Sequence, residues 1–167
     1  MKMNGKIAAL LAILVALAAL AAMPADAQVL AADQLKKAAP TSFFFSGQVA
    51  TVQMRNSGGF KNAAGKLTVA GLVDTTGYAT AIAEKYQGFL ITETKLAFEG
   101  GAIEPGAFGF GFKDGKFIVM NVAGTDVLSI ASHKDDQVKH PVPLKFEKTD
   151  AGYKLWAGRN YVEMKAD

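Results

Sequence analysis

The stretch that decides the fold is Phe108-Gly-Phe-Gly-Phe112-Lys-Asp-Gly-Lys-Phe117-Ile-Val-Met120, two apolar runs joined through Asp114-Gly115. An Asp-Gly pair between such runs predicts a type I′ β-hairpin, because that turn requires positive φ at both central residues. The register follows. Lys113 faces Lys116, Phe112 faces Phe117, Phe110 faces Val119 and Phe108 faces Asn121. Residues paired in this way share a face, so Phe108, Phe110, Phe112, Phe117 and Val119 lie on one side. Gly109, Gly111, Ile118 and Met120 lie on the other. Both sides read as buried. Glycine weakens a strand unless something must approach its backbone closely, so Gly109 and Gly111 predict that another backbone or side chain closes over their face.

Upstream, Glu104-Pro105-Gly106 fits a type II turn, with proline fixing the first central φ and glycine supplying the positive second one. Phe89 to Phe98 reads as one strand ending in a Glu99-Gly100-Gly101 turn. Ser42 to Met54 reads as one or two strands broken at Ser46-Gly47, Arg55 to Gly59 as a loop, and Lys66 to Val73 as a strand. In Asp74 to Gly88, Tyr78, Ala81, Ile82, Lys85 and Tyr86 fall at helical spacing, while Ala79 to Ala83 alternates; a strand or irregular crossover is favoured by a small margin. Downstream come Val127 to Ala131, a polar surface loop from Ser132 to Pro143, a hairpin of Leu144 to Lys148 with Tyr153 to Ala157, and a final Tyr161 to Met164 strand. The pattern predicts an all-β domain: an antiparallel β-sandwich of about eight short strands, or alternatively a closed barrel, with at most one short helix.

At the N-terminus, Lys2 and Lys6 precede a charge-free apolar run from Ile7 to Met23 and then Ala25-Asp26-Ala27. A basic start, an apolar centre and small residues at an Ala-x-Ala site describe a secretory signal peptide over residues 1–27, with cleavage before Gln28. Residues 28–40 then form a leader, and 41–167 a single β domain. Of 18 basic and 15 acidic residues, losing Lys2, Lys6 and Asp26 leaves 16 against 14, a net of +2. That charge, on scattered lysines, gives no nucleic-acid footprint. The chain has no cysteine, which excludes disulfides, thiol nucleophiles, cysteine metal sites and lipid attachment through cysteine. The expected location is periplasmic or secreted, without stable membrane insertion after cleavage.

The chemistry-bearing residues are sparse. His133 and His140 are the only histidines, seven apart on a proline-bounded loop, a spacing that does not preorganise a metal site. No nucleophile elbow, phosphate loop or dinucleotide fingerprint occurs, so no catalytic residue, metal ligand or cofactor is assigned. Arg55, Tyr78, Tyr86, Trp156, Arg159 and Tyr161 are the better material for a ligand-binding surface, since aromatic rings stack planar groups and guanidinium forks to anions.

Two resemblances add to this reading. Leu72-Val-Asp-Thr-Thr-Gly77 resembles the catalytic turn of the aspartic proteases, and Leu155-Trp-Ala-Gly-Arg-Asn160 resembles the Gly-Arg-Asn segment of their retroviral members. In that family two carboxylates share a proton and activate water; Thr76 departs from the pattern by separating the Asp-Thr pair from its glycine. Gly101-Ala-Ile-Glu-Pro-Gly-Ala-Phe108 resembles a segment of a family of exported bacterial β-sandwich domains of unknown function, which implies a sandwich and an envelope location. The expectation is an exported, non-catalytic β domain that binds a small ligand or an envelope partner. A structural or interaction module of the envelope is the alternative, and an aspartic-protease-like hydrolase the second.

Overall fold

The computed structural model describes residues 27–167; the signal-peptide run lies outside the described residues. In chain order the elements are β1 (Gln28–Val29), α1 (Ala32–Ala38), β2 (Ser42–Phe45), β3 (Gln48–Lys61), β4 (Leu67–Val73), α2 (Thr80–Ala83), β5 (Gly88–Thr92), β6 (Leu96–Phe98) and β7 (Gly101–Ile103). They continue as β8 (Gly106–Lys113), β9 (Lys116–Asn121), β10 (Asp126–Ala131), β11 (His133–Lys134), β12 (Lys145–Thr149), β13 (Gly152–Ala157) and β14 (Asn160–Ala166). An eight-stranded antiparallel sheet runs β1-β3-β4-β5-β8-β9-β10, with β2 paired to β3. A six-stranded one runs β12-β13-β14-β6-β7, with β11 paired to β14. The two pack as a sandwich.

The central hairpin has the register that Asp-Gly dictates: Phe112 pairs with Phe117, Phe110 with Val119 and Phe108 with Asn121. Asp114 has φ 52° and Gly115 φ 73°, as the turn requires. Phe110, Phe112, Phe117 and Val119 enter the core between the sheets, where they meet Leu96, Phe98, Leu155, Val162 and Met164. The opposite face is covered by a third layer. Phe43, Phe45, Leu35 and Tyr86 form a second core with Phe89, Ile118 and Met120. The glycines are where that layer touches down: a Cβ on Gly109 would collide with the Phe45 ring, and one on Gly111 with the Lys85 carbonyl.

Four local expectations are corrected. Phe89 to Phe98 is two strands, because Thr92 to Thr94 turns the chain from one sheet into the other. Arg55 to Gly59 belongs to β3, whose pairing with β4 skips from Val52 to Ser57 in a bulge that bends the long strand. Gly106 lacks the positive φ of a type II turn; Pro105 instead marks the crossing back into the eight-stranded sheet. Asp74 to Gly88 contains the short helix α2, anchored by the Glu84 and Tyr86 amides donating to Thr80 and Ile82. With α1 that makes two short helices where at most one was expected. The 28–40 segment is packed, with Gln28 and Val29 paired to Lys61 and Phe60 and Leu35 buried.

The buried polar residues Asn62, Thr68, Thr92 and Thr94 join at one end of the sandwich. The Thr68 and Thr92 hydroxyls lie 3.0 Å apart, and Thr92 donates to the Thr94 carbonyl at 2.8 Å. The Thr94 hydroxyl and the Asn62 amide both donate to the Asp167 carbonyl. This network ties the corner between the sheets to the last residue of the chain.

Gly111→Val is expected to lower stability by about 2 kcal/mol or more, because its side chain must displace backbone rather than a flexible tip. Urea denaturation measures it; an unchanged midpoint would mean that Lys85 does not sit over that strand.

Candidate functional site

At the end of the sandwich away from the Asn62 network, the sheets part around a hollow of about 370 Å³. Its apolar surface comes from Leu72 and Phe112 on the eight-stranded side and from Pro143 and Ala157 on the other. Gln53, Thr75, Gln87 and Asn160 bring polar groups to it, and Ala83 and Tyr86 close one wall.

Each wall has a local cause. After β4, the Asp74 carboxylate accepts the Thr76 amide at 2.9 Å, an Asx turn that carries Thr75 across the mouth. The Tyr78 amide then donates to the Thr75 carbonyl, and α2 returns the chain to β5. Gln87 completes this wall by acting as an extra residue of the sheet. Its backbone amide donates to Phe110 O at 2.8 Å. Its side-chain amide donates to Phe112 O at 2.9 Å and accepts from Phe112 N at 3.1 Å. On the far side Gly158, with φ 63°, turns β13 into β14 and sets Ala157 opposite Asn160. The Ser132 to Pro143 loop clasps this turn, because Gly158 N donates to Val142 O and Asp135 N to Arg159 O.

The six residues expected from sequence fall in five places. Tyr86 lines the hollow, and Arg159 is exposed on the turn beside Asn160. Tyr78 is half-buried in the outer layer, where its hydroxyl lies 3.1 Å from Phe45 O and 3.2 Å from Gln48 O. Trp156 and Tyr161 are cross-strand partners on the outer face of the six-stranded sheet, and Arg55 is exposed on the β3 bulge. Sequence reading missed Gln53, Thr75, Gln87, Pro143 and Asn160. Only Thr75 and Asn160 carried a signal, since both lie in the two segments with protease-like spelling. Those segments do meet, at this hollow. Asp74 itself is exposed, and Thr76 hydrogen bonds hold its carboxyl below the usual range with no second carboxylate among the described residues acting on it.

Tyr86 is fully buried, its ring 3.9 Å from that of Phe45 and edge-on to Tyr78 at 5.3 Å. Its hydroxyl has no hydrogen-bond partner among the described residues, and burial, then the neighbouring Tyr78, drives its pKa far up. No group of three or more His, Cys, Asp or Glu that could hold a metal ion occurs among the described residues, and no helix there is long and apolar enough to cross a membrane. The chain matches no protein-family model, no curated protein and no solved structure.

Tyr86→Phe removes a buried hydroxyl whose one polar neighbour is the Tyr78 hydroxyl, itself held by Phe45 O and Gln48 O, so it should leave stability unchanged or raise it by about 1 kcal/mol. A phenol whose folded pKa is raised contributes fully below the unfolded value near 10 and loses that contribution as pH climbs above it. Wild-type stability should therefore fall above about pH 10, and Tyr86→Phe should fall less steeply in denaturation at stepped pH. Equal slopes would mean that the hydroxyl is solvated.

Proposed function

We propose that this chain is an exported, non-catalytic β-sandwich domain that holds a small ligand in the hollow at the mouth of the sandwich. The observation that carries the reading is the hollow itself: apolar walls of Leu72, Phe112, Pro143 and Ala157, with the polar residues Thr75 and Asn160 among its lining. Binding sites are built in this way, with apolar walls for affinity and a few polar groups for orientation. Its volume is near the low end of the ~300–1,000 Å³ usual for such sites, which favours a compact molecule. Export rests on Lys2, Lys6, the apolar run after them and Ala25-Asp26-Ala27.

Thermal unfolding with a panel of short-chain fatty acids, indoles and terpene alcohols tests the ligand reading. A compound present at 100 times its Kd stabilises by about 2.7 kcal/mol, several degrees in Tm for a domain of this size. Ala157→Phe, which fills the hollow, should abolish that shift while leaving the unliganded protein folded. A panel without any shift, or one that survives Ala157→Phe, would remove the hollow as the site. Intact-mass analysis of protein recovered from the producing cells should show a chain starting at Gln28; retention of Met1 to Ala27 would overturn export.

A further inference from the structure

The outer face of the six-stranded sheet carries an array that the mouth of the sandwich does not use. Alternation sends Tyr153, Leu155, Val162 and Met164 into the core, so Lys154, Trp156, Tyr161 and Glu163 point the other way. Register then lines up rings on three strands: Trp156 pairs with Tyr161, and Tyr161 with His133. Their centroids are 4.5 and 5.1 Å apart. Lysines flank the row, Lys145 Nζ lying 5.2 Å from the Trp156 centroid and Lys154 Nζ 4.5 Å from that of Tyr161.

A ladder of rings and ammonium groups would stabilise the sheet unaided. Two observations exceed that role. Trp156 is only 7% exposed, and its indole N–H is buried with no acceptor among the described residues, a cost that phenylalanine at the same place would avoid. A second hollow, of about 380 Å³, opens past His133 at one end of the ladder. Thr149, Glu163 and Lys165 line it together with the core residues Phe98, Ile130, Tyr153, Val162 and Met164, and neither Trp156 nor Tyr161 does.

The charges on this face are interleaved. Lys145 lies 3.3 Å from Glu147, and Lys154 lies 3.0 Å from Glu163. An anion would strand the glutamates, and a hydrocarbon would strand every charged group. A ring bearing many hydroxyls meets all of them, because each hydroxyl donates to carboxylate and accepts from ammonium or indole N–H, while its C–H face packs on an aromatic ring. We propose that the outer face of the six-stranded sheet is a saccharide-binding surface, with Tyr161 and His133 as the accessible rings and the Trp156 N–H as a donor reached when the lysine stems move aside.

Trp156 is the only tryptophan in the chain, so its emission reports on this face alone. A panel of neutral, N-acetylated and uronic-acid oligosaccharides of four to six sugars should yield at least one saturable emission change. Tyr161→Ala should raise the corresponding Kd tenfold or more. His133→Ala, on an exposed two-residue strand, should weaken binding without moving the Tm. Ala157→Phe should leave saccharide binding intact, which separates this surface from the hollow at the mouth. A response to sodium sulfate alone would make the face an anion site, and a response to decanoate alone an apolar one; either sinks the proposal. So does silence from the whole saccharide panel in both emission and titration calorimetry.

Discussion

The contact on which the rest depends is the approach of the Lys85 carbonyl to the backbone of Gly111, with Phe45 lying over Gly109 two residues away. A side chain on either glycine would hold the third layer off the sheet. Because they are glycines, the segment after α2 lies flat on β8, and Gln87 comes within bonding distance of Phe110 and Phe112 through both its backbone and its side chain. That placement fixes Tyr86 beneath Phe45 and sets the wall of the hollow. A packing constraint on one strand thus decides the shape of the candidate site.

The two ends of the sandwich solve opposite problems. At one end the four buried polar residues, Asn62, Thr68, Thr92 and Thr94, bond to one another or to the Asp167 carbonyl, so the corner where the chain changes sheets is closed and satisfied. Buried polar groups are tolerated on that condition. At the other end the Asp74 turn and α2 on one side, and the loop clasping Gly158 on the other, border the hollow. The unsatisfied buried groups, the Tyr86 hydroxyl and the Trp156 N–H, both lie outside the closed network.

What was legible in the sequence was what short-range chemistry dictates. Asp114-Gly115 fixed a turn, the turn fixed a register, and the Phe/Gly alternation revealed both the inter-sheet core and the covering layer. What was hidden depends on tertiary choice. Leu90, Leu96 and Phe98 keep strand parity straight through the corner at Thr92 to Thr94, so alternation could not reveal that the chain had changed sheets. The β3 bulge hid behind Asn56-Ser57-Gly58, residues that also spell a loop. Helix α2 is a single turn with no capping side chain, stabilised by its place over the sheet rather than by propensity. Gln87 gave no signal, because a glutamine standing in for a strand peptide looks like any other glutamine. Aromatic and basic residues were identifiable as a set, yet only the fold could separate Tyr86 at the hollow from Trp156 and Tyr161 on the outer face.

The covering layer is also what makes the two sheets unequal. β2, α1 and the segment through α2 occupy the outer face of the eight-stranded sheet, where Phe43, Phe45 and Tyr86 bury its second core. The six-stranded sheet has no such layer among the described residues, and its outward positions are Lys145, Glu147, Lys154, Glu163 and Lys165 with the ring ladder among them. A purely structural face of that kind needs charge for solubility, but not a tryptophan with a buried, unpaired N–H. The ring ladder stands up from that face among the charged side chains and gives it relief. Relief lined with both donors and acceptors is the condition for selecting one hydroxylated molecule over another, and it arises here on the sheet that the rest of the chain leaves uncovered.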